Sequence, residues 1–86
     1  MPYIPFEKRQ VIESKLFEFL KDVGKLSPGE LNYSITRIIL DFLGDDPHYK
    51  DFATVIGVLE NVKEELYRRK VAPYENKKIE DEGDVY

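Results

Sequence analysis

Apolar residues recur along this chain with a helical period in three separate stretches. Ile12, Leu16, Phe19, Leu20 and Val23 fall at i, i+4, i+7, i+8 and i+11, with Glu13, Lys15, Glu18 and Lys21 on the remaining faces. That spacing predicts a first helix over 5–23, closed by Gly24 in the position that tolerates positive φ. Leu31, Ile35, Ile38, Ile39 and Phe42 write the second stripe and predict a helix over 28–43, with Gly44 beyond its end. Its start is marked by Ser27-Pro28-Gly29-Glu30, a capping-box serine and glutamate around an N1 proline. Leu26 and Leu31 are placed to staple that entry. Phe52, Val55, Ile56, Leu59, Val62 and Leu66 write the third stripe, a helix over 51–70, with Asp51 or Asp46-Pro47 as the start signal. Ala72-Pro73 is expected to end it, because the residue before proline is pushed out of the α region. Gly57, in the middle of that helix, costs about 1 kcal/mol against alanine, so a close approach by another helix or a ligand is expected there.

Three amphipathic helices with short connections define an all-α fold, a small three-helix bundle over 1–72. The segment 73–86 is expected to be a non-helical acidic tail. It keeps Tyr74, Ile79, Val85 and Tyr86 among its charges, which points to docking on the bundle or on a neighbouring subunit. Leu40 and Leu43 on the second helix and Val58 on the third widen the apolar faces beyond what a three-helix monomer covers. A homo-oligomer, most simply a dimer, is therefore expected.

Composition narrows the function classes. Eighty-six residues make a single domain with a thin margin of stability as a monomer. The chain has no cysteine and one histidine, His48, so neither thiolate nor histidine metal sites are expected, and no cofactor. The net charge of −4 argues against generic duplex binding. Glu75, Glu80, Asp81, Glu82 and Asp84 concentrate the acidity in the tail, opposite a basic cluster at Arg68-Arg69-Lys70. No apolar run approaches the ~20 residues of a membrane span, and the Met1-Pro2-Tyr3-Ile4-Pro5 start lacks a signal-peptide core, so a cytoplasmic location is expected.

The candidate chemistry is that of a binder. Asn32, Tyr33 and Arg37 place an amide, a ring and a guanidinium near one another on the less buried side of the second helix, a set that suits a planar or phosphorylated ligand. Tyr67-Arg68-Arg69 closes the third helix. There the arginines either bind an anion or answer the helix dipole and pair with Glu64 and Glu65 at i,i+4. Glu64-Glu65 and Asp45-Asp46 lack metal-ligand spacing. With no nucleophile–base pair and no glycine-rich phosphate loop, an enzyme is not expected.

Met1-Pro2-Tyr3-Ile4, Gly29-Glu30-Leu31-Asn32-Tyr33, Ile35-Thr36-Arg37, Val55-Ile56-Gly57-Val58-Leu59-Glu60, Tyr67-Arg68-Arg69, Val71-Ala72-Pro73-Tyr74-Glu75 and Gly83-Asp84-Val85-Tyr86 together resemble a family of small phage- and prophage-encoded helical proteins. The resemblance spans nearly the whole chain and implies a viral context without a mechanism. Within it Asn32, Tyr33, Arg37, Glu60, Tyr67, Arg68, Arg69, Tyr74, Glu75 and Asp84 are polar or aromatic positions that a bundle does not require. By analogy with counter-defence proteins of this size, the expected function is sequestration of a small nucleotide-derived anionic signal. Tyr33, Arg37, Tyr67, Arg68 and Arg69 supply stacking and charge, and Asn32 and Glu60 supply the hydroxyl or base contacts. The alternative is a protein–protein inhibitor or assembly adaptor acting on a host protein.

Overall fold

A computed structural model describes residues 3–86; Met1 and Pro2, which open the Met1-Pro2-Tyr3-Ile4 motif, lie outside it. The described chain is all-α. Helix α1 spans Phe6–Val23, α2 spans Pro28–Leu43 and α3 spans Tyr49–Leu66; a π-helical turn at Tyr67–Val71 leads into α4, Ala72–Glu82. Among the described residues the contacts group 3–47 into one unit and His48–Tyr86 into another.

In the N-terminal unit the local signals act as the sequence predicts. Ser27 Oγ accepts from the Glu30 N–H at 3.2 Å, and Glu30 Oε1 accepts from the Ser27 N–H at 2.8 Å, closing the capping box. Gly24 and Gly44 take positive φ, 82° and 69°, and their N–H groups reach the Leu20 and Leu40 carbonyls. The connection over 24–27 leaves α1 and α2 out of helix–helix contact.

The C-terminal unit corrects two expectations. Helix α3 starts at Tyr49 rather than 51, because Asp51 is not the cap. His48 takes the extended N-cap conformation, and Asp51, three residues on, accepts from the His48 N–H at 2.9 Å. The second correction is larger: 73–86 is not a non-helical tail. Ala72 stays helical at φ −60°, ψ −46°, despite preceding Pro73, and the helix runs on to Glu82.

The physical reason lies in the π turn. The Ala72 N–H bonds to the Tyr67 carbonyl, five residues back, so the helix widens just ahead of the proline. Pro73 then sits in the first turn of α4, where a missing N–H costs nothing. Only Gly83–Tyr86 follows the helix, turned off at Gly83 (φ 89°).

Neither unit buries its apolar stripe. No described residue is fully buried, and Ile35 and Leu59, at the centres of their stripes, remain 41% and 39% exposed. Gly57 also departs from expectation, since a Cβ built on it meets nothing within 4 Å. No described residue makes the close approach that its position suggested.

Candidate functional site

The candidate ligand residues divide between the two units. Asn32, Tyr33 and Arg37 stand on α2; Glu60 stands on α3; Tyr67, Arg68 and Arg69 stand on the π turn.

On α2, Thr36 donates to both the Asn32 backbone carbonyl (2.8 Å) and Oδ1 (3.3 Å), so part of the Asn32 amide is already engaged. Tyr33 is 66% exposed and borders a shallow hollow of about 360 Å³ walled by Phe19, Val23, Leu26 and Gly29. Arg37 follows Tyr33 by one turn and makes no hydrogen bond or ion pair among the described residues.

The C-terminal set is tied up locally. Glu60 pairs with Lys63 at 3.2 Å. Arg68 Nη2 donates to Glu65 Oε1 and Arg69 Nε donates to Glu65 Oε2, each at 2.7 Å. One carboxylate thus holds two guanidinium groups, one on each oxygen. The Glu65–Arg69 pair matches the i,i+4 expectation, whereas Arg68 takes Glu65 at i+3 rather than Glu64. The hydrogen bonds from Arg68 and then Arg69 hold the Glu65 carboxyl below its ordinary pKa.

Tyr67 Oη donates to Glu75 Oε1 at 3.0 Å, spanning the π turn. That bond, with the negative charge of Glu75 beside it, raises the Tyr67 hydroxyl above its usual range. Two further contacts lie in this unit that sequence reasoning missed: the Tyr67–Glu75 bond itself and Lys78 Nζ, 5.8 Å from the Tyr74 ring centroid. Both require α4 to be helical. Their spacings of eight and four residues are legible as two turns and one turn once Pro73 is read as an N-terminal rather than a terminating proline.

The positions expected at an oligomer contact or tail dock are uncovered. Leu40 and Val58 are about half exposed and Leu43 is intermediate. Tyr74 and Ile79 stand on α4, beside a shallow hollow of about 620 Å³ that Tyr67, Glu75 and Lys78 also border. Val85 is 92% exposed and Tyr86 is fully exposed, so no described residue covers them. Among the described residues no cluster of His, Cys, Asp and Glu has metal-binding geometry, and no helix is long and apolar enough to cross a membrane.

Over residues 1–85 the sequence matches the family described as Domain of unknown function (DUF6899). The chain belongs to that family. The match covers the same span as the phage-protein resemblance and ties the chain to no virus. No curated protein and no solved structure matches it.

Proposed function

We propose that this is a non-enzymatic helical binding module that works by packing apolar helix faces onto another protein, as an inhibitor or assembly adaptor. The observation that carries this reading is the pairing of amphipathic helices with the absence of buried residues among those described. Apolar stripes left in water mark protein-interaction surfaces. The cations expected to grip a small anion support the same reading, since Arg68 and Arg69 both rest on Glu65. A ligand phosphate would have to displace two charge-assisted bonds to use them. The resemblance to phage proteins adds a context: a host protein as the target, in the host cytoplasm.

A second reading, sequestration of a nucleotide-derived anion, is favoured by one feature. Tyr33 and Arg37 present, one turn apart on α2, an exposed ring and a guanidinium with no partner among the described residues.

The two separate in one experiment. The immobilised protein is offered host lysate, and in parallel its melting is followed with a panel of mono-, di- and cyclic nucleotides. The adaptor reading expects a specific protein retained by the wild type and lost in Leu40→Glu and Val58→Glu, with no nucleotide shift. A stabilisation of about 2.7 kcal/mol at a hundredfold excess over Kd, abolished by Arg37→Ala, replaces it with the sequestration reading.

A further inference from the structure

We propose that α1 and α2 form an open elbow that a second copy of the chain fills, so that two elbows interlock into one four-helix core. This rests on the reading of the helix faces as protein-packing surfaces and names the partner of one of them.

The elbow begins with the backbone. Gly24 leaves α1 at φ 82°, ψ −164°, and Ser27 enters α2 in an extended conformation at φ −71°, ψ 164°. A connection this short ordinarily folds two helices back as antiparallel neighbours. Here it holds them out of contact. The capping box fixes Ser27 and Glu30 to each other, so the entry angle of α2 is set locally rather than by packing against α1.

The faces left open are large enough for a dimer. Ile12, Leu16, Phe19, Leu20 and Val23 on α1, with Leu31, Ile35, Ile38 and Phe42 on α2, are between 41% and 64% exposed. Together they present on the order of 900 Å², against the ~800 Å² that each partner contributes to a standard stable interface. The hollow at the bend is walled by Phe19, Val23, Leu26 and Tyr33, side chains that dock onto another apolar surface rather than a polar ligand. Glu30 is the charge at its rim, and its carboxylate is already held by the Ser27 N–H at 2.8 Å. An interface core with its one charge satisfied at the edge follows the anatomy of homodimer contacts.

A second elbow fits because two-fold pairing needs one patch that is its own complement. Two amphipathic helices with a groove between them provide ridge and groove in the same patch. Four such helices enclose a core that two cannot.

The test uses the full-length wild-type chain. Sedimentation at micromolar concentration should give two chain masses. The melting temperature should rise by roughly 3–5 °C per tenfold increase in concentration, as mass action requires of an obligate dimer. In a sample mixing isotope-labelled and unlabelled chains, intermolecular NOEs should reach Phe19, Leu31 and Tyr33. Ile38→Glu should reduce the mass to one chain and lower the helicity. A single-chain mass with a concentration-independent melt overturns the proposal, because the faces are then covered within one chain. A dimer whose intermolecular NOEs come only from 48–86 also overturns it. A monomer that still retains a host protein removes this inference while leaving the binding-module reading intact.

Discussion

The two halves of the chain stabilise helices by different means. In the unit ending at Pro47, α1 and α2 carry apolar stripes and a capping box, and Lys15–Glu18 at 3.7 Å is the ion pair among its described residues. In the unit from His48 onward, one nearly continuous helix crosses a π turn and is laced by ion pairs at i,i+3 and i,i+4: Lys63–Glu60, Arg68–Glu65, Arg69–Glu65, Lys77–Asp81 and Lys78–Glu82. Exposed pairs of this kind contribute little one by one and more as a network that shares a carboxylate. The C-terminal helix therefore draws on contacts it makes with itself. The N-terminal helices have few such pairs, and their apolar stripes are left exposed.

That difference is sharpest at Ile38, 64% exposed on α2. If α2 is packed in the working assembly, Ile38→Ala should cost about 2–5 kcal/mol in chemical unfolding. An effect within about 0.5 kcal/mol would mean the face stays in water and would break the comparison. The next effect is the cap. Ser27→Ala should destabilise the N-terminal unit by about 1 kcal/mol, with faster amide exchange at Gly29–Leu31 and no change in 49–82.

Gly57→Ala should act in the opposite direction. Open space surrounds the added methyl, so the substitution should gain about 1 kcal/mol of helix stability, read as slower exchange across α3. A loss at that position would show that a partner approaches Gly57 closely.

The smallest effect is electrostatic. The folded-state pKa of Glu65 is depressed, so its contribution to stability is present above the ordinary value of 4.5 and is lost as pH falls through the lower folded value. Helicity of the 49–82 segment should therefore decline on acidification below that ordinary value, and Glu65→Gln should flatten this part of the profile. Tyr67 works at the other end. Its folded-state pKa is raised, so its contribution is full below the ordinary value of 10.0 and disappears as pH rises through the folded one. Tyr67→Phe should remove that alkaline step in a circular-dichroism titration.

Much of the candidate site was readable from spacing. Tyr33 and Arg37 share a side of α2 because they are four residues apart, and Glu65 meets Arg69 for the same reason. The Arg68–Glu65 pair is likewise an ordinary i,i+3 spacing, whereas the Tyr67–Glu75 bond was not readable, because it requires the helix to continue through the π turn at Tyr67–Val71 and past Pro73. A proline in sequence weighs equally as a stop and as a first-turn residue. Which it becomes depends on whether the backbone ahead of it can widen by one residue.

The sequence by itself determined the helices: their all-α class, the capping box at Ser27, the glycine ends at 24 and 44, and the direction of each apolar stripe. These are local choices, settled by side-chain spacing and by the first and last turns of each helix. The three-dimensional structure alone decided that the helix passes Pro73, and that no stripe is buried among the described residues. A periodic pattern states which face seeks burial, but the identity of the surface that meets it is set by contacts between segments, which no local pattern encodes.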